Sequence, residues 1–199
     1  MGKNILDEYI DRNKQIIILI LGLPCSNKST IAKQLSKDTK LITININDYQ
    51  KKSFIEEKVG DLMLKMYEHP KNYDWDKLNE IVNEHKTKGI ILYGSYIDVN
   101  KINFTINYSF FINMNNTLCK KKIFDYELSP YDKNNTLDNS KIDTYLTNFL
   151  YPLYEKLKSD IKINKYFNIK ENTTIESIYD VLWDVLITLI QSSLKNKNQ

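Results

Sequence analysis

The chain has 199 residues, 42% of them hydrophobic, and a formal net charge of +3. That length and apolar content suit one compact domain over residues 1–199, or one domain with a small insertion. Lysines and acids are interspersed with no basic tract, and the two cysteines are far apart, so nucleic-acid binding, a disulfide framework and a cysteine metal site are all excluded.

The opening segment MGKNILDEYIDRNK is polar and mixed, without a leader pattern, and Leu6 stands where myristoylation needs Ser or Thr. The apolar stretch 181–190 carries Asp184 and is too short to span a bilayer. A cytoplasmic protein with small-molecule partners, no nucleic acid and no membrane is the expectation.

Residues 16–21, IIILIL, form an unbroken apolar run that predicts a parallel strand covered on both faces. A loop follows, Gly22-Leu23-Pro24-Cys25-Ser26-Asn27-Lys28-Ser29, and then a helix over 28–37 with Ile31, Ala32 and Leu35 on one stripe. The loop is the phosphate-binding pattern G-x-x-x-x-G-K-[ST] with Asn27 in place of the second glycine. A helix N-terminus offers unpaired N–H groups and the positive end of the helix dipole, so a phosphate docks there readily. Gly22 lets the chain turn out of the strand. Pro24, Cys25, Ser26, Asn27 and Thr30 then surround the phosphates of ATP. Lys28 reaches the β- and γ-phosphates, and Ser29 binds Mg²⁺. Asparagine tolerates the left-handed region better than most residues, so Asn27 reads as a handicap and not a veto. The plainer alternative is an ordinary strand-to-helix turn with Lys28 in solvent. Cys25 is either a thiol activated by the helix end or a small loop filler.

Further along, a strand is predicted over 41–46 and helices over 54–67 and 76–86. Strands over 90–93 and 109–113 and a helix over 115–124 follow. The polar stretch 127–140, ELSPYDKNNTLDNS, reads as a mobile loop. A helix over 141–158, a strand around 160–163 and a helix over 174–194 complete the chain. The last helix carries Ile175, Ile178, Leu182, Val185, Leu186 and Leu189 at helical spacing. This alternation predicts a three-layer α/β fold of the P-loop NTPase type: about five parallel strands flanked by helices, with a short lid over about 120–141.

His69-Pro70-Lys71-Asn72-Tyr73-Asp74-Trp75-Asp76 resembles the HP-x-x-F-D-W-D stretch of uridine kinases. The resemblance implies that Asp74 holds the ribose hydroxyls and that Tyr73 walls the pocket. Read from the residues alone, Asp74 or Asp76 caps the next helix while Tyr73 and Trp75 fill the core. Ile44-Asn45-Ile46-Asn47-Asp48-Tyr49 lies where uridine and nicotinamide riboside kinases carry an aspartate that assists Mg²⁺ and takes the proton from the attacking hydroxyl. Asp48 is the available carboxylate, and Asn47 competes for the position. Residues 90–94, IILYG, resemble the strand ending in Glu-Gly, with Tyr93 for the acid. Residues 108–122 resemble the next strand and the lid helix, and Lys120, Lys121 and Lys122 stand where relatives carry arginines. YLTNFLYPLYEKLK, 145–158, resembles the segment after the lid. The base-contacting hairpin that uridine kinases place between the aspartate segment and the Glu-Gly strand is missing, a layout closer to nicotinamide riboside kinases.

The function so implied is ATP-dependent phosphorylation of a hydroxyl on a nucleoside or nucleoside-like molecule. Lys28, Asp48 and Lys122 catalyse, Lys120 and Lys121 join the nucleotide site, and Ser29 and Asp48 hold Mg²⁺. The alternative is a catalytically degenerate relative that binds a nucleotide or serves as a scaffold. Asn27, Tyr93 and the lysine-only lid all fall on positioning and charge stabilisation, the two things phosphoryl transfer needs most.

Overall fold

The computed structural model describes residues 5–125 and 139–196. Its centre is a five-stranded parallel sheet in the order β2-β5-β1-β6-β7. The strands are β1 (Ile17–Gly22), β2 (Ile42–Asn45), β5 (Ile90–Gly94), β6 (Tyr108–Met114) and β7 (Lys165–Ile169). β1 is buried along its whole length, as its unbroken apolar run requires of a central strand with helices on both faces. On one face α2 (Lys28–Thr39) buries Ile31, Ala32 and Leu35. α7 (Ile175–Asn196) packs on α2 and on α1 (Ile5–Asn13), burying Ile178, Leu182, Leu186, Ile190 and Leu194 at helical spacing. Among the described residues no helix is long and apolar enough to cross a membrane.

Two predicted elements are corrected. Residues 54–67 are not a helix. They form an antiparallel hairpin, β3 (Glu56–Val59) with β4 (Leu62–Lys65). The cause is Gly60, which with Asp61 makes a two-residue turn and sits at φ 63, a left-handed angle that suits the twist of paired strands. Along β4 the burial alternates with period two: Leu64 is buried while Met63 is 60% exposed. Opposite charges also face each other across the pair at Glu56 and Lys65. The second correction concerns the last strand. Residues 161–164 are a connection, and β7 lies at Lys165–Ile169, where Phe167 and Ile169 turn inward from an edge position.

The segment predicted as one helix over 141–158 is α5 (Asn139–Tyr145), a π-helical turn (Leu146–Leu150) and α6 (Tyr151–Asp160). Pro152 sits in the first turn of α6 and cannot continue the regular bonding of the turn before it, which is where the ladder widens. α3 (Trp75–His85) follows the His-Pro segment, and α4 (Asn116–Asp125) follows β6. Of the predicted lid and mobile loop, residues 126–138 lie outside the described residues.

Candidate active site

The loop between β1 and α2 opens on a cleft of about 240 Å³ at the C-terminal ends of the strands. This is where ligands bind in open parallel sheets. Residues 24–29 form one wall, and Asn45, Asn47, Gln50, Glu68, Tyr93 and Ser95 form much of the other.

The loop is fixed by close backbone packing. A Cβ on Gly22 would come within 2.4 Å of the Ile112 carbonyl oxygen, so the glycine is a steric requirement of the β1–β6 contact. Leu23 N–H donates to that same carbonyl at 3.1 Å, and the buried Tyr154 hydroxyl donates to the Gly22 carbonyl at 3.2 Å. Cys25 and Asn27 adopt left-handed angles, φ 56 and 62. Asn27 thus occupies the conformation that a glycine would take, at the N-cap of α2, and its side chain makes no capping bond. The Asn27 carbonyl instead accepts from Thr30 and Ile31 N–H at 3.1 Å each. Backbone N–H groups of residues 25–29 have no acceptor among the described residues, which leaves an anion-binding set at the start of α2.

Lys28 is 9% exposed. Its Nζ donates to the Leu23 carbonyl at 2.8 Å and to Ser26 Oγ at 3.3 Å. Burial pulls its pKa down to about 8, against the attraction of Cys25, Glu68 and Cys119. The activated-thiol reading of Cys25 is corrected. Burial raises its pKa, and the neighbouring Lys28 and Lys122 only partly oppose that, so the thiol stays protonated. Ser29 is exposed at the cleft mouth, whereas Thr30 lies outside the lining.

The three lysines of α4 divide. Lys120 pairs with Asp143 of α5, and Lys121 pairs with Glu171 at 3.2 Å. Neither lines the cleft. Lys122 is the one whose charge reaches the loop, through Cys25.

Asp48 is exposed and outside the cleft lining, with Oδ1 accepting from Asn45 Nδ2 at 2.7 Å. It is Asn47 that faces the cleft. Ser95 N–H donates to Asn47 Oδ1 at 3.2 Å, and Asn47 Nδ2 donates to Ser95 Oγ at 3.3 Å. Asp74 caps α3, its Oδ1 accepting from Lys77 N–H at 3.1 Å, so Asp76 lies within the first turn and is not the cap. Tyr73 is buried behind the cleft wall, stacked on Trp75, with its hydroxyl accepting from Gln50 Nε2 at 3.0 Å. Neither Tyr73 nor Asp74 lines the cleft.

The sequence reading missed Glu68. It is 2% exposed, lines the cleft, and accepts a hydrogen bond on Oε2 from the buried Tyr145 hydroxyl. Among the described residues it is the one carboxylate in the cleft wall. The Val59-Gly60-Asp61-Leu62 turn was the available signal. A hairpin there returns the chain to the cleft at the residue before His69-Pro70, whereas a helix over 54–67 hides that return.

The central β1, the loop after it with a buried lysine, and the parallel five-stranded sheet between helices match the P-loop kinase fold. Solved structures agree. Over 86% of this chain and 98% of its own, a shikimate kinase from Bacteroides thetaiotaomicron superposes with a TM-score of 0.57 at 17% identity. A gluconokinase from Sinorhizobium meliloti 1021 gives 0.57 at 10% identity, covering 92% of this chain and 97% of that one. A sugar kinase from Janibacter gives 0.54 at 12%, covering 86% and 94%. No protein-family model matches the chain, and neither does any curated protein sequence.

Proposed function

We propose that the protein is an ATP-dependent phosphotransferase whose acceptor is a hydroxyl group of a small molecule. The observation that carries this reading is the buried Lys28 ammonium beside unbonded N–H groups at the start of α2, on a cleft closed at its other wall by polar side chains. Similarity of fold to kinases of shikimate, gluconate and sugars supports it. ATP is a polyanion that fits the loop, with Lys28 and Lys122 countering its charge. Ser29, exposed at the mouth, is the residue that would hold Mg²⁺, which would supply positive charge to the transferring phosphates. Asp48 would need to turn from Asn45 to join it. Ribonucleosides are the first acceptors to try, on the resemblance of residues 69–76, and nicotinamide riboside the next, on the shorter layout that follows them. In this reading Asp74 reaches the ribose only if it gives up its cap on α3.

The test is a screen of nucleosides with Mg-ATP. Phosphorylated product is expected from the wild type and not from Lys28→Ala. No product, together with no calorimetric ATP binding, defeats the reading.

Nucleotide binding without transfer is a second reading. It is favoured by Asp48 lying off the cleft and by Tyr93 at the acid position. ATP binding lost in Lys28→Ala, with no transfer to any acceptor and no hydrolysis, supports it.

A further inference from the structure

Phosphorylating an alcohol requires a group that accepts the hydroxyl proton, and that group must stand at the reacting oxygen. Asp48 is exposed and bonded to Asn45. Asn47 lines the cleft, but an amide has no basic site near neutral pH, and its own atoms are engaged with Ser95. Tyr93 also lines the cleft. Burial and the Asp48 charge raise its pKa, so its phenol is a donor and not a base. Among the described residues that line the cleft, Glu68 is what remains. It is buried in the wall facing the loop, the Tyr145 hydroxyl bonds to its Oε2, and its charge acts on Lys28. A hydrogen-bond donor favours the charged form of a buried carboxylate over the neutral one.

We propose that Glu68 is the general base of the transfer, with Tyr145 as its positioning residue. The inference rests on the phosphotransferase reading. As the acceptor oxygen forms its bond to the γ-phosphorus of ATP, its O–H proton passes to the Glu68 carboxylate. The bond from the γ-phosphorus to the bridging oxygen breaks, and ADP leaves with that electron pair. Glu68 then releases the proton to solvent as the product departs. Tyr145 holds the carboxylate from behind: Glu68 N–H donates to the same hydroxyl at 3.4 Å, tying backbone and side chain to one point on α5.

The experiment compares Glu68→Gln, Asp48→Asn and Tyr145→Phe. Transfer is assayed to whichever acceptor the nucleoside screen gives, and Mg-ATP hydrolysis, with water as acceptor, is assayed in every case. Glu68→Gln should lower kcat by about 10²–10⁴, the usual worth of a general base, with ATP affinity kept or improved. The acid limb of its pH–rate profile should vanish. Asp48→Asn should keep the acid limb of the wild-type profile and lose less rate than Glu68→Gln. Tyr145→Phe removes one donor from the carboxylate, so the acid limb should move to higher pH with the rate regained on its alkaline side. The assignment is overturned if Asp48→Asn takes the loss while Glu68→Gln turns over normally. It is equally overturned if Tyr145→Phe leaves the pH profile in place, or if Glu68→Gln loses ATP binding along with rate, which marks a structural role. A wild-type protein that binds Mg-ATP and neither transfers nor hydrolyses it refutes the phosphotransferase reading itself, and the base with it.

Discussion

The two walls of the cleft are built in different ways. The wall on the β1 side is one continuous turn, residues 22–29, whose shape is set by backbone contacts to β6 and by the start of α2. The opposite wall is gathered from three separate segments, residues 45–50, 67–68 and 93–95, and is held by side chains bonding to one another. A backbone-defined wall tolerates odd side chains, such as Cys25 and Asn27, provided that the chain can take the angles. A wall defined by side chains tolerates substitution poorly, because each loss strands a partner.

Four measurements can break or sharpen that contrast. The largest effect is expected from Gly22→Ala. The added methyl meets a carbonyl oxygen of the neighbouring strand, which cannot rotate away, and overpacking of this kind costs about 1–3 kcal/mol. Chemical denaturation should show the loss with ATP binding abolished, and a fully stable Gly22→Ala protein would mean that the loop is not fixed by its backbone.

On the other wall, Asn47→Ala leaves the Ser95 N–H buried without its acceptor. A stranded donor costs about 1–3 kcal/mol, here at the lower end because the site borders the cleft. The midpoint of unfolding should fall while ATP affinity, which the proposed function assigns to the first wall, stays within a few-fold. Loss of ATP binding in this variant would erase the distinction.

Third is the pH dependence of Lys28. Its pKa near 8 means that the free protein loses the ammonium above that pH, so ATP affinity should fall about tenfold per pH unit there. The contribution to stability has the opposite sign. Folded Lys28 binds its proton less tightly than the unfolded residue, whose value is 10.5, so between about pH 8 and 10.5 the unfolded state holds more protons and stability rises with pH. Calorimetric titration and urea unfolding on Lys28→Met, which lacks the ionisable group, should remove both trends together.

The smallest effect is expected from relieving the left-handed residues. Cys25→Gly should gain about 1 kcal/mol, since a side chain at that angle costs about 1–2 kcal/mol and glycine's extra chain entropy returns part of it. Asn27→Gly should gain less, because asparagine already tolerates the angle, while ATP binds more tightly once the amide is gone from the cleft. Destabilisation in both would show that the side chains hold the turn after all.

The amino-acid sequence by itself determined the parallel sheet, the loop between β1 and α2 and the flanking helices. Each rests on a local rule: an unbroken apolar run makes a central strand, and a loop of fixed spacing ending in Lys-Ser opens a helix. Even Asn27 was legible, because the angle it must take depends on its own backbone. The hairpin at residues 56–65 was written in a single Gly-Asp pair, which a helical reading of the surrounding leucines and acids overlooked. Tertiary structure alone decided which acids and lysines meet. Asp48 and Asn47 are neighbours in the chain, yet one faces solvent and the other the cleft. Lys120, Lys121 and Lys122 are consecutive on one helix, so rotation by about 100° per residue sends them to different partners. Glu68 and Tyr145 stand 77 positions apart and touch only because the hairpin and α5 pack behind the same cleft. Local pattern fixes elements, but a side chain's partner depends on where distant elements come to rest.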